Sequence, residues 1–324
     1  MKKATMIFAA AALLLGGLAS CSGNSGKTRV GVLQFGSFEA LEKAKQGFVD
    51  VLNASDLKGK VDITVKNAAA VGADDVSFAG TLASNSDLLY GIATPSATHL
   101  KTAVGSLGVD IPVLFSAVTN PVGAGLLKNP EKPEGNCTGV VDLGPIEDQL
   151  EILAKFPDVD NVVTFFNSDE GNSVYQADIV DAWLDEHHIA HSRKTITQAS
   201  EISSAFASIP SDVDAVFLPT DDTIANSINL IKSANESRMD KLIVVGSDTG
   251  MSPGSVFAMG VDYYQCGKQA GQMAVSLLKK EKTVAQLPVE SCSTKNLLIN
   301  QTWANALGIE IPEEVLNIPG AIVQ

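Results

Sequence analysis

Short, almost unbroken apolar runs alternate with helical stretches along nearly the whole chain, and this alternation restricts the fold more than any other feature. The runs are Arg29–Phe35, Val61–Lys66, Leu88–Thr94, Pro112–Val118, Thr138–Asp142, Asn161–Phe166, Ser192–Ile196, Ala215–Pro219, Leu242–Gly246 and Val256–Asp262. Between them lie helical stretches such as Phe38–Asn53, Pro145–Lys155, Ser173–His187, Asp222–Ala234 and Gly267–Lys280. A strand with one wet face alternates apolar and polar residues, whereas a strand apolar throughout is covered on both faces. Such strands separated by helices specify an α/β fold with parallel sheets. Val30–Val65 and Val162–Ile196 both run strand, polar loop, helix, strand, and each first strand ends in an aromatic residue, Phe35 or Phe166. The echo predicts two similar, doubly wound lobes. Asn296–Asn300 and Gln301–Leu307 read as one more strand and helix.

The N-terminus carries a different signal. Lys2 and Lys3 precede an uncharged, mostly apolar run from Ala4 to Leu18, followed by Leu18-Ala19-Ser20-Cys21. A basic start, an apolar run and small residues at its end describe a secretory leader. The run falls short of the roughly 20 residues that span a bilayer as a helix. Leu-Ala-Ser-Cys resembles the bacterial lipobox. The resemblance implies that residues 1–20 are removed and that Cys21, acylated on sulfur, becomes the first residue of a protein held at the cell membrane and facing the periplasm or cell exterior. Residues 21–28 would form a flexible tether, since Ser22–Lys27 is rich in Ser, Gly and Asn.

Charge narrows the partners. The 324 residues hold 23 Lys and Arg against 37 Asp and Glu, a net charge of −14, and the leader removes two lysines and no acid. So acidic a chain is a poor match for nucleic acid or for an anionic membrane surface. Apart from Cys21, three cysteines remain: Cys137, Cys266 and Cys292. Their number is odd, so at least one is free or pairs between chains; their spacings match no zinc pattern, and they read as small buried apolar residues, with one disulfide as the alternative.

In an open α/β sheet, ligands bind beyond the carboxyl ends of the strands, where loops lead into helix N-termini. Those positions here hold hydroxyls, amides and carboxylates, with no Lys, Arg or His. Thr94, Ser96, Ser116, Thr119 and Asn120 offer small donors beside helix starts, where free N–H groups and the helix dipole suit an anion. Without a glycine-rich phosphate loop, a carboxylate fits better than a polyphosphate. Asp248, and Asp221 with Asp222, stand at strand ends of the second half, where a carboxylate can pair with an ammonium. Phe35 and Phe38 flank the first strand end and can contact an apolar ligand body. Each also has a plainer role, as helix cap, turn or core residue. Catalysis has no visible carrier. His187, His188 and His191 lie at a helix end, His99 stands alone, and there is no Gly-x-Ser-x-Gly elbow or Cys–His pair. No metal and no cofactor is implied.

A resemblance then becomes specific. Phe115–Leu126, Lys132–Val140, Asn172–Gln176, Leu218–Asp221, Gly246–Asp248 and Gly260–Gln265 closely resemble the ABC transporter substrate-binding protein family that includes tryptophan- and phenylalanine-binding members. The likeness runs from Arg29 to about Leu307. It implies a type I periplasmic-binding-protein fold with a ligand cleft between two Rossmann-like lobes. The lobes would be residues 29–142 with 266–299, and 143–265 with 300–324. Three crossings would lie near Asp142–Gly144, Asp262–Gln265 and Ile299–Gln301. It also implies an α-amino acid ligand. Thr94, Ser96, Ser116 and Thr119 would hold its carboxylate and Asp248 its ammonium, while Asn167, Tyr175, Thr220 and Asp221 would line the second lobe. The expected partners are ABC permease and ATPase subunits, and the expected state is a monomer. Relatives often carry a Glu-His-Pro-like stretch where Phe35-Gly36-Ser37-Phe38 stands here, and a Val in place of Cys137; the first departure bears on the side-chain pocket. Competing classes are a sensor feeding a membrane signalling partner, a receptor for another small solute, and an exported enzyme.

Overall fold

The computed structural model describes residues 26–324. The leader and Cys21 lie outside the described residues. The first half runs β1 (Thr28–Gln34), α1 (Glu39–Ala54), β2 (Val61–Asn67), α2 (Gly72–Asn85), β3 (Leu88–Ile92), α3 (Thr94–Leu107), β4 (Val113–Val118) and β5 (Cys137–Val141). The second half begins α4 (Ile146–Leu153), β6 (Asn161–Asn167), α5 (Gly171–Glu186), β7 (Ala190–Ile196) and α6 (Ile202–Ala207). It continues β8 (Ala215–Leu218), α7 (Asp222–Asn226), α8 (Ile228–Ser237), β9 (Ile243–Gly246) and β10 (Phe257–Val261). The chain then makes α9 (Tyr263–Leu278), β11 (Glu290–Ser291), β12 (Lys295–Ile299), α10 (Gln301–Leu307), α11 (Glu313–Leu316) and β13 (Ile322–Val323).

Two sheets result, ordered β11-β5-β4-β3-β1-β2 and β13-β12-β10-β9-β8-β6-β7. Each contains the doubly wound order 2-1-3-4-5, as β2-β1-β3-β4-β5 and as β7-β6-β8-β9-β10. Among the described residues only β10 and β12 pair antiparallel; the other pairs are parallel. The α/β class with two lobes is therefore as expected. Every residue of β3 and β4 is buried, which is why these strands read as unbroken apolar runs, while the edge strand β2 alternates. Burying each large side chain here contributes roughly 1.5–3 kcal/mol. Such a pair is Phe48 on α1, stacked on Tyr90 with ring centroids 4.0 Å apart.

Helix α9 returns to the first lobe and lies against α1 at backbone distance. A Cβ on Gly47 would overlap the Tyr264 carbonyl, and one on Gly267 the Ala44 carbonyl. Only glycine permits that approach.

Four expectations change. The third crossing lies at 292–294, not at Ile299–Gln301, because β12 pairs with β10 along Phe257–Val261 and so belongs to the second sheet. Residues 295–299 thus leave the first lobe. The helix read as Asp222–Ala234 is two helices broken at Ser227. Helix α9 starts four residues before Gly267, since Asp262 caps it by accepting the Gln265 N–H at 3.2 Å. Cys266 and Cys292 form a disulfide, and Cys137 is free and buried.

Candidate functional site

The carboxyl ends of the two sheets face one another across a cavity of about 270 Å³. The first lobe lines it with Phe38, Ala93, Thr94, Ala117 and Thr119, the second with Asn172, Thr220, Asp221, Asp222 and Asp248. Asp142 and Tyr263, each beside a crossing, form part of the lining. An outer compartment of about 610 Å³ adjoins it, lined by Phe35, Thr98, Asn167, Glu170 and Thr223 among others. Phe38, Thr94, Pro95, Asn172, Asp222 and Asn226 border both, so the two are compartments of one cleft.

On the first lobe, α3 begins at the cavity wall with no side-chain cap and no acidic residue in its first turn. The first N–H groups of a helix have no acceptor within it, and their dipole favours an anion. Ala93, just before α3, has φ +81°, and Ala117, at the end of β4, has φ +54°. Both are non-glycine residues in the left-handed half of conformational space, and both line the cavity. Such strain costs on the order of 1–3 kcal/mol per residue and gathers where ligands are held. Below them, Asp142 is buried and accepts from the Thr119 hydroxyl at 3.0 Å and the Tyr263 hydroxyl at 3.0 Å. Burial pushes its carboxyl up to about 6 against those two donors, and the Asp248 charge adds to the rise.

On the second lobe the corresponding helix start is occupied from within. Asp221 caps α7, with Oδ1 accepting from the Ile224 N–H at 2.9 Å. Its Oδ2 accepts from the Asn167 N–H and the Ser173 hydroxyl, both at 2.8 Å. Glu170 accepts from the Asp222 N–H at 2.9 Å, the Thr223 N–H at 3.0 Å and the Thr223 hydroxyl at 2.7 Å. Burial and then the Glu170 charge push Asp221 upward, against its three donors. Asp222 is held well above the carboxylate range by burial, then by Glu170, Asp221, Asp142 and Asp248. Asp248 is 7% exposed, and its Oδ1 accepts from the Gly250 N–H at 2.6 Å. Burial raises it too. No Lys, Arg or His stands among the described residues that line the inner cavity. Its charge therefore calls for a cationic group.

Of the residues expected at the site, Phe38, Thr94, Thr119, Thr220, Asp221 and Asp248 line the inner compartment, and Phe35 and Asn167 the outer. Three lie elsewhere. The Ser96 hydroxyl is fully buried and donates to Asp75 Oδ1 at 2.6 Å, while His99 holds the other oxygen of that carboxylate at 2.6 Å. Ser116 is hydrogen-bonded to the Tyr90 hydroxyl inside the first lobe. Tyr175 is half-buried on α5 and borders neither compartment. Asn120, weighed as a further donor, is turned to its own loop and accepts the Gly123 N–H at 2.8 Å. Sequence reasoning missed Asp142, Tyr263, Glu170 and Asn172. Asp142 follows a strand end and was open to the same rule; Tyr263 and Glu170 act through partners more than 50 residues away.

Comparison with known proteins defines the class. The family model of the ABC transporter substrate binding protein matches residues 29–323. The chain belongs to this family, whose members bind solutes and are not enzymes. It is 30% identical to the tyrosine-binding protein of Clostridioides difficile over 328 residues, 95% of this chain and 93% of that one. A Streptococcus pneumonia ABC domain in complex with L-Trp superposes with a TM-score of 0.84 at 33% identity, covering 92% of this chain and 100% of that one. The ligand-free, open structure of a Clostridium difficile substrate-binding protein superposes less well, with a TM-score of 0.73 at 28% identity, covering 92% and 99%.

Proposed function

We propose that this protein captures an L-α-amino acid with a large apolar or aromatic side chain between its lobes and delivers it to an ABC importer. The observation that carries the reading is the opposition of two groups across one cavity. The uncapped N-terminus of α3 suits a carboxylate, and the buried Asp248 suits an ammonium. A zwitterion satisfies both at once. The outer compartment, walled by Phe35, Phe38 and Pro95, takes the side chain. The relatives that bind tyrosine or hold L-Trp support the ligand class. Since each lobe contributes half the contacts, ligand favours the closed arrangement.

Calorimetry with tryptophan, tyrosine, phenylalanine and leucine, and with their decarboxylated and deaminated analogues, tests the reading. Each analogue should lose several kcal/mol, because a buried partner is left unpaired. Binding of a sugar or nucleoside in the absence of any amino-acid binding would refute it. The protein further acts, in this proposal, from the membrane through lipid on Cys21. Cys21→Ala should shift it from the membrane to the soluble fraction or leave the leader attached; a normally processed, membrane-bound product would refute the anchor.

A further inference from the structure

The three crossings between the lobes converge at the disulfide. Cys266 lies in the first turn of α9, fully buried, and its N–H donates to the Asp262 carbonyl at 3.0 Å, at the second crossing. Cys292 begins the third crossing, directly after β11, and its N–H donates to the Val141 carbonyl at 3.1 Å, at the first crossing. The Asp262 N–H donates to the Thr294 carbonyl at 2.9 Å, joining the second crossing to the third. One turn along α9 from Cys266, Gln269 grips the same segment. Its Nε2 donates to the Ser291 carbonyl at 3.2 Å and to Glu290 at 2.9 Å, and its Oε1 accepts the Ser293 N–H at 3.1 Å. Residues 290–293 are thus fastened to α9, which itself is locked on α1. Three residues before Cys266, Tyr263 reaches into the ligand cavity and donates to Asp142, the residue after Val141.

We infer that the Cys266–Cys292 disulfide is a positioning device for ligand capture: it pins the third crossing to the first lobe and confines the pivot of closure to Asp262 and Thr294. Without it, 287–294 gains freedom of movement and the arrangement competent to close is one of several. An affinity falls in proportion to the population of the competent arrangement. This inference rests on the hinge-closure reading above.

The test uses the mature chain with L-tryptophan and L-tyrosine as probes. Alkylation under denaturing conditions without reductant should leave Cys266 and Cys292 unmodified; alkylation of both would overturn the inference. The Cys266→Ala/Cys292→Ala variant should bind about tenfold more weakly, matching a tenfold loss of competent population. The ratio of affinities for tryptophan and tryptamine should not move, because the groups that meet the ligand are untouched. Solution scattering should show a broader spread of sizes for the empty variant. Unchanged affinity and scattering would overturn the inference. So would a change in the tryptophan-to-tryptamine ratio, which would make the disulfide part of the pocket's shape. If the variant does not fold, dithiothreitol replaces it: the reagent gives two electrons and two protons to the disulfide, leaves as its cyclic disulfide, and yields two thiols. Loss of the whole fold on reduction would make the bond a general staple and overturn the inference. If neither probe binds the wild type, the ligand proposal fails, and the scattering of oxidised against reduced empty protein still decides the hinge.

Discussion

The two lobes share a strand order but treat one corresponding pair of helix starts, α3 and α7, in opposite ways. In the first, α3 meets the cavity with no acid in its first turn and no capping side chain. In the second, α7 meets it with Asp221 as its cap and Glu170 across its first N–H groups. One architecture thus yields a helix start that favours negative charge, at α3, and a corresponding start that supplies it, at α7, while Glu39 on α1 and Asp142 add acid on the first lobe's side. A topological switch point does not choose a ligand; the side chains that occupy the helix starts do. On the proposed reading, a zwitterion lying across the cleft would meet each of these helix starts with the opposite charge, and neither lobe alone would make the whole set of contacts.

The largest expected effect breaks the negative wall. Asp248→Ala should weaken amino-acid binding by about 2–5 kcal/mol, the usual loss when one partner of a desolvated charge pair is removed. That is roughly 30-fold to several thousand-fold in affinity by calorimetry. Equal affinity in variant and parent would leave Asp248 as no more than the cap it forms with Gly250.

A smaller effect follows from pH. Asp142 is raised to about 6 and Asp222 well above its ordinary range, so both hold protons in the empty fold at pH values where the unfolded chain has released them. The native state therefore binds more protons, and stability of the empty protein should fall as pH rises from about 4, through about 6 where Asp142 releases its proton, and on above that where Asp222 does. An arriving ammonium favours the charged carboxylates. Affinity should thus rise with pH across the same window, by at most about tenfold per pH unit for each proton released. Calorimetry near pH 6 in two buffers of different ionisation enthalpy should register that release; identical heats would contradict it. Glu170→Gln sharpens the test. The amide oxygen can still accept from Thr223 but the amide nitrogen cannot accept the Asp222 N–H, and the largest charge acting on Asp222 is gone, so the part of the pH dependence that Asp222 carries should move to lower pH.

Much of this was legible in the sequence, for reasons that differ by residue. The strands could be read because parallel strands buried on both faces leave unbroken apolar runs, as Leu88–Ile92 does. Thr94, Thr119, Thr220 and Asp248 could be placed near a cleft because the strand-end rule is local. The sheet to which Lys295–Ile299 belongs was not legible: the same apolar run would suit either sheet, and its pairing with Phe257–Val261 is set by tertiary structure. Three cysteines do not declare which two pair. The direction of a hydroxyl was equally hidden, since Ser96 turns toward Asp75 and Ser116 toward Tyr90, 21 and 26 residues away.

Ser96 provides the smallest expected effect and the sharpest check on the first lobe's wall. Its hydroxyl is committed to the fully buried Asp75 carboxylate, and Asp75 also holds His99 on the next turn of α3. What α3 offers a ligand is its backbone, not this side chain. Ser96→Ala should therefore change amino-acid affinity by less than about twofold, well below the 1.4 kcal/mol of a tenfold change. Its cost should appear in stability instead, at about 1–3 kcal/mol, because a buried carboxylate loses a donor. Paired calorimetry and thermal melting separate the two. A large loss of affinity with unchanged melting would mean that the hydroxyl turns outward to the ligand, and that the first lobe grips its anion with side chains as well as with the helix start.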